Sequence, residues 1–313
     1  MNRISVLIPC YNAAKWLPKL FSSLLKQKDK NFNLVIINDG SIDNTYDLIK
    51  EFSVKNKNIL NIKIYSQNNI GLIKTRVRLV ELCETEYFIF VDSDDWVSKN
   101  FISSFAKILA KKESSCIVGK NKLFVPKCYW IRAFAVDNFS NKDSIEKFIF
   151  KNDYGYLWNK LFKKEKYVSA MLFLQKLGYW PTLTEDHFFI SYFLSINKDI
   201  QYNMKHTYFY RKAVNSLSIK PSCEKIYEIT LNIDKCCYER ENILCLNYLI
   251  TIMSYLLISK KGDDDKRLMS YETLFLWLRK YDYILKKVNL WRNIIVWQGK
   301  NVYKKLLKKY GKK

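Results

Sequence analysis

Residues 87–91, Tyr-Phe-Ile-Phe-Val, form an apolar run that stops at Asp92-Ser93-Asp94-Asp95, three carboxylates within four residues. Aromatic and β-branched residues in succession, without polar alternation, are expected of a strand buried on both faces of a parallel sheet. Two earlier runs have the same form. Ile4–Ile8 breaks at Pro9 into the polar turn Cys10-Tyr11-Asn12, and Leu34–Ile37 passes through Asn38 into Asp39-Gly40-Ser41. Between them the hydrophobic period becomes helical, with Leu17, Leu20, Phe21, Leu24 and Leu25 on one face of 13–27. Further helices are expected at 43–56 and 71–82 and a strand at 61–66, an alternation that predicts a parallel sheet flanked by helices. Open α/β sheets gather ligands outside the C-terminal ends of their strands. All three polar breaks fall there.

Carboxylates crowded at one strand end repel one another unless a cation neutralises them, and hard divalent ions such as Mg²⁺ or Mn²⁺ prefer oxygen ligands. A metal that also touches a diphosphate accounts for the cluster economically. At the second break, Gly40 permits an unusual backbone conformation, and Ser41 or Asp43 can cap the helix that follows.

Four ordered stretches carry a resemblance: ISVLIPCYNAAKWLPKLFSSLLKQ at 4–27, LVIINDGSIDNT at 34–45, NNIGLIKTR at 68–76 and YFIFVDSDDW at 87–96. With YLWNKLFKKE at 156–165, TEDHFFISYFL at 184–194 and YFYRKAVNSLS at 208–218, the chain resembles the nucleotide-sugar glycosyltransferases of family 2 over residues 1–220. The resemblance implies an inverting enzyme of the GT-A fold: a Rossmann-like, mixed but mostly parallel sheet flanked by helices. It places a nucleotide-sugar-binding half at 1–97 and an acceptor half at 98–220, and leaves 221–313 as a helical, basic C-terminal region.

The same resemblance assigns residues. Pro9, Tyr11, Asn12 and Ser93 fall in the donor site, Asp39 at the nucleotide base, Asp92 at the ribose and base side, and Gly71 and Arg76 beside the diphosphate. Asp94 is the implied ligand of one divalent cation, Mn²⁺ or Mg²⁺. Asp186 is the implied general base, with Glu185 as its substitute, because a sugar hydroxyl must lose its proton as it attacks the anomeric carbon. Trp158, Asn159, Lys160 and Arg211 fall in the acceptor or phosphate region. Ile73, Lys74 and Val77 depart from the family pattern around Arg76. The residues also admit plainer readings: Asp39 as a helix-capping turn, Asp95 as a second ligand or a helix cap, Glu185 and Asp186 as acids favoured by a helix dipole, and Trp158 and His187 as packing.

Beyond Asp95 the order is less regular. Helices are expected near 99–112, 143–151 and 185–194, strands near 115–119, 129–136 and 207–211, and only helices from 222 onward. The eight cysteines show no zinc or C-x-x-C spacing and read as reduced, buried thiols. Met1-Asn2-Arg3 leads straight into the first strand, which leaves no room for a signal peptide.

The chain carries a net charge of +23 over 313 residues, and 286–313 holds ten basic residues and no acidic one. Trp291, Ile294, Ile295, Trp297, Val302, Leu306 and Leu307 recur near helical spacing against those lysines, as in a basic amphipathic helix on an anionic membrane surface; the plainer reading is a helix docked on the catalytic domain with a solvated lysine face. The uncharged stretch 242–259 reaches only the lower limit for spanning a bilayer and is expected to be a buried or interfacial helix. The expectation is a cytoplasmic protein, peripheral on the inner face of the membrane. Its donor would be a nucleotide sugar, UDP-linked, and its acceptor a glycan or glycolipid in cell-surface synthesis. A metal-dependent nucleotidyltransferase would want a glycine-rich loop where Pro9-Cys10-Tyr11-Asn12 stands. A basic nucleic-acid-binding protein would have to bring phosphate to a carboxylate-lined edge, so no nucleic acid is expected.

Overall fold

A computed structural model describes residues 3–124, 155–181, 184–211, 223–236, 243–259, 263–279, 296 and 298–305. The strand expected near 129–136, the helix near 143–151 and most of the basic tail lie outside the described residues.

The described strands are β1 Ile4–Cys10, β2 Asn33–Asp39, β3 Asn61–Gln67, β4 Tyr87–Phe90, β5 Trp96–Val97, β6 Cys116–Phe124, β7 Lys160–Lys163 and β8 Ile200–Arg211. They form one sheet in the order β3-β2-β1-β4-β7-β6-β8-β5. The four strands read from β/α alternation are mutually parallel, with Leu7 beside both Val35 and Phe90. Every position of β1 and β4 is buried, as their mostly apolar sequences require, and the Ser5 hydroxyl of β1 accepts from Thr85. β3 forms the edge and buries no residue fully, in keeping with its alternating Asn-Ile-Lys-Ile-Tyr-Ser-Gln.

Past Asp95 the sheet becomes mixed. β7 runs antiparallel to β4 and β6, β8 parallel to β6, and β5 antiparallel to β8. Strands β6 and β8 are longer than their sequences suggest, and β5 and β7 were not expected. Their two and four residues are too few to show a period.

Helices α1 Leu17–Leu25, α2 Thr45–Asn56, α3 Leu72–Glu81 and α4 Phe101–Leu109 cover the sheet. α1 starts four residues later than its hydrophobic period predicts. The backbone N–H groups of Ala13 and Ala14 donate instead to Thr45 Oγ1 and the Asp43 carboxylate, which pins the loop after β1 to the start of α2. Leu17, Leu20, Phe21 and Leu24 then face inward, and Phe21 stacks on Phe52 of α2 at 4.0 Å between ring centroids.

The chain divides into two compact units. The first holds the whole sheet, α1–α4 and the start of α5 Lys164–Lys176. The second holds the rest of α5 with α6 Glu185–Ile196, α7 Cys223–Leu231, α8 Ile233–Cys236, α9 Ile243–Ile258 and α10 Asp264–Arg279. Within the second unit α9 buries Tyr248, Leu249, Ile252, Met253 and Leu256, so the uncharged stretch is a core helix. No helix among the described residues is long and apolar enough to cross a membrane. Cys10, Cys83, Cys116 and Cys223 are free and buried.

Candidate active site

Because β1, β2 and β4 run parallel, their C-terminal ends bring Asn12, Asp39 and Asp92–Asp95 to one edge of the first unit. Pro9 is buried within β1, while Tyr11 stays about half exposed at 52 %. Asn12 sits in the left-handed region at φ 49°, which asparagine tolerates better than most residues. Its backbone N–H donates to Ser41 Oγ and its Oδ1 accepts from the Ile42 N–H, each at 3.0 Å, so the loops after β1 and β2 are laced together.

Asp39 is buried, and it is not a cap for α2. Its carboxylate accepts from Gln67 Nε2 at 2.7 Å and from the backbone N–H groups of Ile70 and Gly71 at 3.0 and 3.1 Å. The acid thereby fixes the turn that leads into α3. Gly40, at φ 68°, passes under the same turn, where a Cβ would lie 2.5 Å from the Asn69 backbone nitrogen. Gly71, at φ 87°, opens α3 with nothing within 4 Å of where its Cβ would be.

The acidic motif separates into three environments. Asp92 Oδ1 accepts from the buried Arg76 at 3.0 Å, and that guanidinium lies 5.7 Å from the centre of the Phe90 ring. Asp94 is half-buried, and its carboxyl is pushed up to about 6, first by burial and then by the charge of Asp92. Asp95 is fully buried. Its Oδ2 accepts from the Tyr208 hydroxyl at 2.6 Å and its Oδ1 from the Arg211 backbone N–H at 2.7 Å. Burial and the neighbouring carboxylates push its pKa well up. Both Asp95 oxygens are thus engaged by β8, which fastens the end of that strand to the motif, and α4 starts after Asn100 without a side-chain cap.

Tyr208, Trp16, Trp96, Lys19 and Gln67 join the site although the sequence assigns them no role. The Tyr208 hydroxyl also accepts from the Asp92 N–H at 3.1 Å, joining the motif to β8 at a second point. Arg211 donates through Nε to the Asp94 carbonyl at 2.8 Å, and its guanidinium lies over the rings of Trp16 and Trp96, 4.4 and 4.9 Å from their centres. Lys19 Nζ stands 3.3 Å from the centre of the Trp96 ring. Trp16 and Lys19 fall one turn apart at the start of α1 beside the first polar break, and that spacing was the available signal. Gln67 had none.

Trp158, Asn159 and Lys160 are all buried. Trp158 stacks between Tyr208 and Tyr156 at 4.8 and 4.9 Å and lies parallel to Tyr210 at 5.1 Å. Asn159, at φ 58°, accepts the Gly119 N–H on its backbone carbonyl at 2.9 Å. The Lys160 ammonium donates to the Tyr156 carbonyl. Glu185 and Asp186 open α6 in the second unit, half-buried. His187 is packed against Gly155, where a Cβ would lie 1.9 Å from His187 Nδ1.

Among the described residues no three His, Cys, Asp or Glu side chains come together as a metal cage. Asp92 and Asp94 alone suit a different arrangement, in which a hard divalent ion takes one or two carboxylates and completes its shell with phosphate oxygens and water. The upward shift of Asp94 fits this, since its ionised form is short of a compensating cation.

Residues 5–168 match the family model described as Glycosyl transferase family 2. The chain is 27 % identical over 312 residues to the poly(ribitol-phosphate) β-N-acetylglucosaminyltransferase TarP of Staphylococcus aureus, covering 92 % of this chain and 90 % of that protein. It is 28 % identical to glycosyltransferase GlyA of Streptococcus pneumoniae and 30 % to a processive diacylglycerol β-glycosyltransferase of Mycoplasma genitalium, over 69 % and 50 % of this chain. It spans 32 % and 49 % of those two relatives. In structure it is similar to S. aureus TarS residues 1–349, with a TM-score of 0.68 at 17 % identity over 98 % of this chain and 91 % of that one. The mannosyltransferase PcManGT of Pyrobaculum calidifontis, solved with GDP-mannose and Mn²⁺, gives a TM-score of 0.54 at 11 % identity over 99 % and 88 %.

Proposed function

Since the chain belongs to glycosyltransferase family 2 and is a glycosyltransferase, we propose that it moves a sugar, with inversion, from a UDP-linked donor to a hydroxyl of a glycan or glycolipid used at the cell surface. The observation that carries this reading is the set Asp39, Arg76, Asp92 and Asp94, drawn to the ends of the two parallel strands that flank β1 and to the helix beside them. A TarS structure holding UDP-N-acetylglucosamine supports UDP as the nucleotide, and the names of TarP and of the diacylglycerol enzyme support a glycan or glycolipid acceptor. Family membership also weighs against a nucleotidyltransferase or a nucleic-acid-binding protein.

In this mechanism Asp39 keeps the Ile70–Gly71 turn in place beside the nucleoside, with Pro9, Tyr11, Asn12 and Ser93 completing the wall. Asp94, with Asp92 beside it, would hold a divalent cation; the mannosyltransferase PcManGT, solved with GDP-mannose and Mn²⁺, supports this. When bound, the ion neutralises the diphosphate and the charge that develops as it leaves. Arg76 positions Asp92 and adds positive charge next to the diphosphate. Asp186 accepts the proton of the attacking hydroxyl while the new C–O bond forms on the face opposite the departing diphosphate; Glu185 stands beside it. Arg211, held over the rings of Trp16 and Trp96, presents a cation at the same strand edge. Trp158, Asn159 and Lys160 support that wall from behind.

We assign the catalytic machinery to residues 1–220 and leave 221–313 as a helical, basic C-terminal region. The basic residues of 286–313 hold the protein on the inner face of an anionic membrane.

A panel of UDP- and GDP-sugars, read by thermal stabilisation and by nucleotide release with Mn²⁺ or chelator, tests the proposal. A UDP-sugar is expected to stabilise the protein and to be hydrolysed only when Mn²⁺ is present. Equal behaviour in chelator would remove the metal, and a response restricted to GDP-sugars would remove UDP.

A further inference from the structure

The residue before the Glu185–Asp186 pair has an unfavourable backbone. Thr184 lies at φ 72°, where a β-branched side chain is crowded. The described residues that share this region are asparagine at 12 and 159 and glycine at 40, 71 and 178, types that tolerate it. Thr184 is 6 % exposed, and its hydroxyl meets the hydroxyl of Tyr248, itself 1 % exposed on α9, at 3.0 Å. Its carbonyl accepts the Phe188 N–H at 2.9 Å and so closes the first turn of α6.

The surrounding contacts leave this turn little freedom. His187 fills the space beside Gly155, and Phe188 packs on Tyr248 and on Trp180 with ring centroids 6.0 and 5.7 Å apart. Strained backbones persist where their surroundings over-determine them, and they gather at functional sites. A helix start with no task to perform has cheaper solutions, since serine, threonine or aspartate in the extended region caps a helix without strain. Here the strain falls on the residue that sets the direction in which Glu185 and Asp186 leave the chain.

We propose that Thr184, locked by the Tyr248 hydroxyl, is a positioning residue that aims the carboxylate pair at the start of α6. The inference rests on Asp186 acting as the base. Its effect belongs to turnover and not to donor binding, because a base that samples several directions spends less time aligned with the attacking hydroxyl.

The test uses the full chain and whichever nucleotide sugar it hydrolyses fastest in the panel above. In Thr184→Gly/Tyr248→Phe the strain is released and both hydroxyls of the pair are removed together. Turnover is expected to fall at least tenfold, KM for the donor to stay within twofold, and the melting temperature to hold or rise. Thr184→Ser keeps the hydroxyl and should retain most of the turnover. Wild-type turnover in the double variant would overturn the inference, as would turnover and melting temperature falling together, since a plain structural prop predicts that. Asp186→Asn is measured alongside. Normal turnover there would overturn the base assignment itself, whereas a loss there with a fully active double variant would sink only the positioning role.

Discussion

Replacing Asp94 with asparagine should make the metal-free protein more stable at neutral pH while abolishing sugar transfer. The carboxyl titrates near 3.8 when unfolded and at about 6 when folded. Between those values the folded state binds the extra proton, so this group's contribution to stability falls as pH rises through the window and stays low above it. The shift corresponds to a penalty of about 3 kcal/mol at pH 7 and about 1.6 kcal/mol at pH 5, upper bounds for a half-buried carboxylate. The asparagine side chain keeps nearly the same shape and cannot ionise, so it lifts most of that penalty. Denaturant unfolding in chelator at pH 7 and pH 5 measures the gap between the two proteins, which should favour the variant and narrow by about half at the lower pH. With UDP and Mn²⁺ added, only the native protein should gain stability, because ligand binding to the folded state needs the ionised group. A variant less stable than the native protein at pH 7, or a gap that ignores pH, would refute the view that Asp94 is held ionised at a cost until a cation arrives.

Asp186→Asn should lower turnover by roughly 10²- to 10⁴-fold, the range for losing general-base help, with donor affinity little changed; a collapse confined to Glu185→Gln would move the base by one residue. Gly40→Ala puts a methyl group against the Asn69 backbone nitrogen at φ 68°, which should cost on the order of 1–3 kcal/mol in a melting or denaturant curve and raise KM for the donor. Tyr208→Phe strips Asp95 and the Asp92 N–H of a shared partner, and should cost about 1–3 kcal/mol in a denaturant curve. Truncation after Tyr283 removes the ten basic residues of 286–313, each contributing about 1 kcal/mol near an anionic surface. The shortened protein should lose flotation with anionic vesicles at low salt and keep donor hydrolysis; full-length protein that never floats would end the membrane reading.

What the sequence makes legible here follows from how local each signal is. β1, β2 and β4 declare themselves because a strand buried on both faces needs an unbroken apolar run, and α1–α3 because a covering helix needs an apolar stripe. β5 and β7 stay silent, since Trp96-Val97 and Lys160–Lys163 become strands only when β8 and β4 arrive to pair with them. The site divides along the same line. Three aspartates at 92, 94 and 95 look alike in sequence, yet residues 16 and 116 positions away give them different fates. Arg76 neutralises Asp92, and the end of β8 takes both oxygens of Asp95. At Asp94, burial and the charge of Asp92 outweigh the help of Arg211. Burial and repulsion raise both Asp94 and Asp95, but β8 takes both Asp95 oxygens, so the repulsion left without a partner falls on Asp94. A single cation bound at Asp94 is enough to relieve it, whereas an ion held by all three would have to break the contacts that hold β8 in place.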